Sequence, residues 1–279
     1  MILSKLKEVV FTIIDKIFLK VDKSHMYRSG GLHLIPDYRF RRGGKVSYGE
    51  WAFVIGIFHT LIEQHAHTKK EKILDVGCGT GLLGISSYNI CMNGGVYHGI
   101  DVNKSDVEFC EKQFSNANYA FQHFDVFNAT YALDQNQSQK KWPNEDEYYD
   151  LVTALSVWTH FNESDASFYL KEVSRVLKVD GIAIITFFII DEFVAKPSNN
   201  TKFHKSNHLD WTFDIPAYAS QHWKTTKWTN QPEDAIAVDK NALMGLVREA
   251  NLSVEKYYPG TWKNYPGVYF QDILILKKG

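Results

Sequence analysis

The 279-residue sequence predicts an α/β protein with a doubly wound, mostly parallel sheet and helices on both of its faces. From residue 72 onward, short apolar runs alternate with segments of helical periodicity, as in strand–helix–strand units. The first apolar run ends in a turn that carries three glycines, Gly77, Gly79 and Gly81. The run over 182–190 is apolar almost throughout, which is typical of a strand buried on both faces.

Residues 1–65 precede this alternation and are expected to form a basic amphipathic helix, a linker and a cap helix. Apolar residues recur at helical spacing over 2–21, and lysines interrupt the other face. Such a helix packs on its own domain, packs on a second subunit of a homodimer, or lies on a membrane surface. The linker over 27–45 has no periodicity, and the cap helix is expected over 50–64.

Residues 66–279 are interpreted as the main domain. The periodicity predicts strands at 72–76, 96–101, 119–124, 149–155, 182–190, 254–258 and 269–276. It predicts helices at 81–91, 104–114, 164–177 and 239–250. A polar loop is expected over 129–147, a turn over 178–181, and an insertion over 191–235.

Composition restricts the classes of function. The net charge of −1 argues against a nucleic-acid binder, although residues 1–45 carry a surplus of basic groups, ten against four. Three cysteines without CxxC spacing are typical of reduced thiols and predict no metal site. There is no apolar run of the roughly 18 residues that a membrane span needs, and no secretory signal, so a cytoplasmic protein is expected.

The glycine turn is compatible with two kinds of cofactor. Residues 79–84 satisfy the dinucleotide pattern G-x-G-x-x-G, and Asp101 follows at about the distance of a ribose-binding acid, roughly 20 residues. A nicotinamide-dependent oxidoreductase is therefore one alternative. However, Asp75 lies just before the first glycine, where a carboxylate would repel a pyrophosphate but suits a cationic amino-acid group.

Acidic residues also follow the next two strands. Asp101 ends the second strand, where it can accept hydrogen bonds from both ribose hydroxyls, and Asp125 follows the third, placed for an adenine amino group. Open α/β sheets bind ligands outside the carboxyl ends of their strands. Together with Asp75, these acids favour a nucleoside cofactor with a cationic amino-acid portion.

Several motifs occur in order over about residues 70–190. They are Asp75-Val76-Gly77-Cys78-Gly79-Thr80-Gly81, the acids Asp101 and Asp125, Tyr149-Asp150-Leu151-Val152, Ser156-Val157-Trp158-Thr159-His160, and Glu172 to Lys178 followed by Asp180-Gly181. In this pattern the chain resembles class I S-adenosylmethionine-dependent methyltransferases, in particular bacterial members that act on small molecules or glycans. It departs from that family at Asp180, where a second glycine is usual.

The resemblance implies a Rossmann-like seven-stranded fold, S-adenosyl-L-methionine as cofactor and S-adenosyl-L-homocysteine as product. It implies that Gly77, Cys78, Gly79 and Gly81 surround the methionine portion. It further assigns the remaining cofactor contacts: Asp101 and Val102 to the ribose, Asp125 and Val126 to the adenine, and Ser156 and Val157 to the sulfonium side. A non-catalytic relative that only binds the cofactor is a further alternative.

The acceptor side is less defined by the sequence. A hydroxyl acceptor must lose a proton, and His160 follows the fourth strand at the edge where an acceptor would lie. A histidine that only bonds its own loop or caps the next helix is the alternative. The insertion carries His204, His208 and His222, interpreted as surface residues, and three tryptophans that either stack on a ring or pack the insertion. The resemblance implies O- or N-methylation of a small-molecule or glycan acceptor beside this insertion.

Overall fold

The computed structural model describes residues 2–22, 25, 26, 28, 30–68, 70–126, 139–194 and 209–279. By its internal contacts the chain divides into two compact units, Met1–His123 and Phe124–Gly279. Parts of two predicted segments lie outside the described residues, namely 129–138 of the polar loop and 195–208 of the insertion. The latter part contains His204 and His208.

The first unit begins with the predicted helices. Helix α1 spans Ile2–Asp22 and α2 spans Tyr48–His65, where the Ser47 side chain accepts the N–H of Glu50. The linker over 30–45 contains two 3-10 turns, at Gly30–Leu34 and Tyr38–Phe40. Periodicity does not reveal such turns because contacts with distant residues hold them in place: Gln113 donates to the carbonyl oxygen of Leu34, and the N–H of Tyr38 donates to Asp15.

Three parallel strands form the sheet of the first unit. They are β1 (Lys72–Val76), β2 (Val96–Asp101) and β3 (Tyr119–His123), with β2 in the middle. The helices between them are α3 (Leu82–Ser86), α4 (Tyr88–Met92) and α5 (Lys104–Gln113). One helix was predicted over 81–91, but the structure has two short helices that meet at Ser87.

The second unit contributes β4 (Tyr149–Ala154), β5 (Leu177–Phe187), β10 (Leu252–Tyr258) and β11 (Asp272–Lys278). β4 and β5 are parallel, whereas β11 runs antiparallel to both β5 and β10. Helices α6 (Glu163–Val176) and α7 (Lys240–Glu249) lie where the periodicity predicts them. The predicted turn over 178–181 is a bulge inside β5, at which Asp180 has φ +64°.

Strands β1–β5, β10 and β11 make up the seven-stranded, mostly parallel sheet, so the predicted fold class is confirmed. No strand was predicted within the insertion, but two short ones occur there. A small second sheet in the second unit combines β6 (Ile189–Ile190), β7 (Ile215–Pro216), β8 (Trp223–Thr225) and β9 (Ala237–Asp239). Within the described residues, no helix is both long and apolar enough to cross a membrane.

Candidate cofactor site

The glycine turn follows β1 and is fixed to the neighbouring strand β2. The N–H groups of Gly77 and Cys78 both donate to the carbonyl oxygen of Ile100, at 2.8 and 3.1 Å. The three glycines of the turn have φ values of +70°, +49° and +87°. Residues with a Cβ rarely adopt this conformation, which explains why glycine occupies all three positions.

Gly79 and Gly81 have different surroundings. A Cβ on Gly81 would lie 2.5 Å from the ring of Phe114, so packing alone requires glycine there. A Cβ on Gly79 would meet no atom within 4 Å. The backbone at Gly79 therefore borders open space, and it leaves room for a ligand to approach the main chain closely. This is the geometry that a cofactor held by the turn requires.

Asp101 at the end of β2 is joined directly to this turn. Its Oδ2 accepts the backbone N–H of Gly79 at 2.7 Å, and its Oδ1 accepts the N–H of Asn103 at the same distance. Burial raises the pKa of the carboxyl, and these two N–H donors oppose the rise. Each oxygen has a second lone pair, so the carboxylate retains acceptor capacity for ribose hydroxyls. The structure thus brings together two of the predicted residues, Gly79 and Asp101.

Asp75 lies at the same end of β1 but is nearly inaccessible, with 1% exposure. Its Oδ2 accepts the hydroxyl of Tyr97, a residue of β2. Burial and the carboxylate together raise the pKa of Tyr97 well above its ordinary value, so the hydroxyl remains a donor. The structure places Asp75 beneath the turn, bound to β2, and its predicted contact with the cofactor stays a prediction.

The cysteine of the turn is also buried. The pKa of the Cys78 thiol is raised well above its usual range by its neighbour Cys110 and by burial. The Cys110 thiol lies 3.3 Å from the carbonyl oxygen of Gly79 and donates to it. Buried structural cysteines are inert, so both cysteines support the turn by packing.

The linker contributes to the turn in a way that the sequence did not indicate. The hydroxyl of Thr80 donates to the carbonyl oxygen of Phe40 at 2.5 Å, and Phe40 stacks on Phe109 of α5 at 4.1 Å. Arg42 binds the carboxylate of Asp106 through Nε and Nη2, the shortest distance being 2.6 Å. The linker is therefore fastened over the turn and α5. No local signal predicted this, because the partners are 40 to 69 positions apart.

Lys45 is a buried cation that sequence reasoning also missed. It is 9% exposed, and its Nζ donates to the carbonyl oxygen of Gly43 at 3.2 Å. In the described part of the chain, the ammonium forms no ion pair with a carboxylate. Burial lowers its pKa to about 8, against a weak opposing effect of Glu50.

Four predicted cofactor contacts belong to the second unit. Asp125 is exposed and Val126 is buried, and the carbonyl oxygen of Asp125 lies 3.5 Å from the ammonium of Lys140. Ser156 has φ +61°, its N–H donates to Thr186 Oγ1, and its hydroxyl donates to Gln271. Val157 is half-buried and is the N-cap residue of the 3-10 turn Trp158–His160. The predicted contacts of these four residues with the adenine and the sulfonium side stay predictions.

His160 lies in this 3-10 turn, Trp158–His160. Its Nδ1–H donates to the carbonyl oxygen of Glu233 at 2.6 Å. A carbonyl can only accept, so the neutral ring carries its proton on Nδ1 and its basic nitrogen is Nε2. Burial lowers the pKa of the ring, which favours the neutral form. Both alternatives for His160 remain, because the residue bonds a loop and also has the tautomer that a base needs.

The tryptophans of the insertion are packed. Trp223 is 2% exposed and donates to the carbonyl oxygen of Phe161 at 3.2 Å. Trp211 lies in an aromatic cluster around Phe188, with Trp228 at 5.1 Å. These contacts favour the packing interpretation over a stacking platform. His222 is exposed, in agreement with its interpretation as a surface residue.

The insertion begins beside a buried charged cluster. The ammonium of Lys263 lies 2.8 Å from both Asp191 and Asp272, and all three side chains are fully buried. The Tyr257 hydroxyl, with its single proton, lies 2.5 Å from Asp191 and 3.0 Å from Asp272, and the indole N–H of Trp262 donates to Asp272 at 2.8 Å. The cluster fixes the start of the insertion to β10 and β11. Its partners are up to 81 positions apart, so their spacing carried no signal.

Comparison with known proteins identifies the family. A family model described as a methyltransferase domain matches residues 67–251. An O-methyltransferase of ubiquinone biosynthesis from Pelagibacter ubique (strain HTCC1062) is 28% identical over 117 residues. That match covers 42% of this chain and 42% of the relative, so the chain is matched to less than half of the length of this relative.

Solved structures share the fold at low sequence identity. The PH0226 protein of Pyrococcus horikoshii OT3 is 17% identical with a TM-score of 0.54, over 82% of this chain and 91% of that protein. Magnesium protoporphyrin IX methyltransferase of Synechocystis PCC 6803, solved with bound SAH, is 12% identical with a TM-score of 0.51, over 96% and 99%. With a family model over more than half of its length, the chain belongs to the class I S-adenosylmethionine-dependent methyltransferases.

Proposed function

We propose that this chain transfers a methyl group from S-adenosylmethionine to an oxygen or nitrogen atom of a small-molecule or glycan acceptor. The observation that carries the proposal is the open space at Gly79, next to a carboxylate that is bonded to the same residue. When bound, the cofactor supplies an electrophilic methyl group on a sulfonium. The chain's part is to orient the reactants in line and to exclude water.

Each unit has a set of proposed cofactor contacts. In the first unit, the backbone at Gly77, Cys78, Gly79 and Gly81 holds the methionine portion, and Asp75 provides negative charge near its amino group. Asp101 accepts from the ribose hydroxyls, next to Val102. In the second unit, Asp125 and Val126 contact the adenine, while Ser156 and Val157 lie on the sulfonium side. The remaining acceptor capacity of the Asp101 carboxylate, which accepts one N–H on each oxygen, supports the ribose assignment most directly.

His160 is the proposed general base for a hydroxyl acceptor. The hydrogen bond from Nδ1 to Glu233 supports this role, because it leaves the basic lone pair on Nε2. The lowered pKa keeps the ring neutral near pH 7. An oxygen acceptor is favoured over nitrogen by the similarity to the O-methyltransferase from Pelagibacter ubique.

We propose residues 66–279 as the catalytic domain, and residues 1–65 as a cap. The family model begins at residue 67, which supports this boundary. Residues 191–235 form the acceptor-side insertion in this proposal. The near-neutral net charge favours small acceptors over nucleic acid, and three buried, unbridged cysteines fit a cytoplasmic protein. Self-association through α1 is the alternative to contact between α1 and a membrane surface.

The proposal is tested with S-adenosylmethionine labelled in its methyl group and a panel of phenols, catechols, N-heterocycles and glycans. We expect label in at least one oxygen or nitrogen acceptor, together with release of S-adenosylhomocysteine. Transfer to RNA, DNA or protein with none to the small molecules would overturn the acceptor class. The panel is run beside binding of S-adenosylhomocysteine, so that a missing acceptor is distinguished from a missing cofactor.

A further inference from the structure

Helix α1 carries an aliphatic stripe on its solvent side. Its members are between 37% and 61% exposed: Leu6, Val9, Val10, Ile13, Ile14, Ile17 and Val21. They recur at intervals of three and four residues, so they share one face of the helix. Soluble monomers rarely expose a continuous apolar surface of this kind unless it is an interaction site.

The opposite side of α1 fixes the direction in which the stripe points. Asp15 is 5% exposed, and its carboxylate accepts from the guanidinium of Arg41 at 2.8 Å and from the N–H of Tyr38 at 2.7 Å. Phe11 stacks on the ring of Tyr38 with centroids 5.1 Å apart. The helix is thus fastened to the linker in one orientation, and the exposure of the stripe follows from that attachment.

The charges of α1 are segregated between its two sides. Glu8, Asp15 and Asp22 follow each other at intervals of seven, which places all three acids on the attached side. The carboxylate of Glu8 interacts electrostatically with the Arg39 guanidinium, and that of Asp22 with the Tyr48 hydroxyl. Arg39 and Tyr48 both belong to the first unit. No acidic residue of α1 therefore belongs to the stripe side.

Lysines lie at the edge of the stripe instead. Lys5 and Lys16 are exposed, Lys5 four positions before Val9 and Lys16 three after Ile13, so both adjoin the aliphatic side chains. In a pair of identical helices packed stripe to stripe, these lysines would meet lysines, because the acids face away. An anionic lipid surface offers the complementary charge along with an apolar layer.

We propose that α1 is an interfacial helix that lies on an anionic lipid surface, with its aliphatic stripe in the acyl boundary and its lysines among the headgroup phosphates. This proposal does not depend on the identity of the acceptor. It accounts for the exposed aliphatic stripe and for the lysines at its edge with one partner, an anionic lipid surface.

Flotation of the full chain with vesicles tests the proposal. One set contains phosphatidylcholine alone, and the other equal parts of phosphatidylcholine and phosphatidylglycerol. We expect the partition coefficient to be about tenfold or more higher on the anionic set. The double variant Ile13→Asn/Ile17→Asn should lose binding to both sets, and Lys5→Glu/Lys16→Glu should lose the preference for the anionic set.

Val179 provides the matched control, since it is an aliphatic side chain of the second unit that is 61% exposed. Val179→Asn should partition as the wild type does. Unchanged binding of S-adenosylhomocysteine in every variant shows that the fold is retained. The proposal is overturned by equal partition of the wild type on both vesicle sets, or by no binding to either set. A dimer that the Ile13→Asn/Ile17→Asn variant abolishes would then assign the stripe to self-association.

Discussion

The backbone N–H of Gly79 donates a hydrogen bond of 2.7 Å to Oδ2 of Asp101. The acid expected to bind a ribose is therefore also a support of the glycine turn. The two backbone N–H donors compensate for part of the hydration that this partly buried carboxylate loses, and they oppose the rise in its pKa.

We expect Asp101→Asn to weaken the binding of a cofactor that carries ribose hydroxyls more than the binding of an analogue that lacks them. The amide loses one acceptor oxygen and turns an NH2 group towards a backbone N–H. Calorimetric titration should show S-adenosylhomocysteine binding about tenfold or more weaker, because losing a hydrogen bond to a charged group costs roughly 1.5–3 kcal/mol. With the 2′,3′-dideoxy analogue, wild type and variant should differ much less. An equal loss for both ligands would argue for a purely structural Asp101.

His160→Asn should separate the two interpretations of His160. The Asn amide can still donate to the Glu233 carbonyl in place of Nδ1, but it has no basic nitrogen. For an oxygen acceptor we expect kcat to fall about 100-fold or more while the KM for the cofactor is unchanged. His160→Ala should in addition lose about 1 kcal/mol of stability from the missing hydrogen bond. Activity of His160→Asn close to wild type would exclude a base at this position.

The same histidine sets an expected pH profile. Burial lowers its pKa below the ordinary value of 6.5, so the neutral, basic ring predominates at pH 6.5 and above. The logarithm of kcat/KM should therefore be level from about pH 6.5 upward and decline only at lower pH. The decline should be absent in His160→Asn. A wild-type decline that begins above pH 7 would assign the limiting proton to another group.

Because Lys45 is buried, we expect the free energy of unfolding to rise with pH in the alkaline range. Its pKa is about 8 in the folded chain and close to 10.5 in the unfolded chain, so between these values the unfolded state binds more protons. Relative to Lys45→Met, the free energy of unfolding of the wild type should rise by about 3 kcal/mol from pH 8 to pH 10.5. Urea denaturation at several pH values measures it. Lys227→Met, at an exposed lysine, is the control, and parallel curves for wild type and Lys45→Met would refute the buried ammonium.

Lys263→Met should destabilise the second unit strongly. It leaves Asp191 and Asp272 buried without a cation, and removing one partner of a buried pair costs about 3–5 kcal/mol. Lys240→Met is matched to it, since Lys240 pairs with Glu192 at 3.0 Å but is 36% exposed, and it should cost less than about 1 kcal/mol. Similar urea midpoints for the two variants would show that the cluster contributes little.

The sequence predicted the main sheet well because its information is local. The apolar runs that become β1, β2 and β4 are interrupted by helical periodicity, and glycine at positions 77–81 marks a turn that only glycine adopts readily. The second sheet was missed because β7 has two residues and β8 three, too short for any period to be visible.

The candidate site was likewise predictable only where its residues form a local pattern in the sequence. Asp101 was identified because an acid at the end of a strand is a local pattern, whereas its bond to Gly79 depends on the register of β1 and β2. Lys45 and Lys263 look like ordinary surface lysines in the sequence. Their burial results from contacts between distant segments, which no spacing rule describes.

Binding of S-adenosylhomocysteine to wild type and to Gly79→Ala, measured by calorimetry, is the most direct test of a cofactor site at the glycine turn. Alanine fits the fold at φ +49° with modest strain, but its methyl group projects into the open space at residue 79. Gly94→Ala, also at positive φ but at the opposite end of β2, controls for that strain. We expect binding to wild type and Gly94→Ala, and affinity lower by about tenfold or more for folded Gly79→Ala. Absence of binding to the wild type, or undiminished binding to Gly79→Ala, would contradict a cofactor site at this turn.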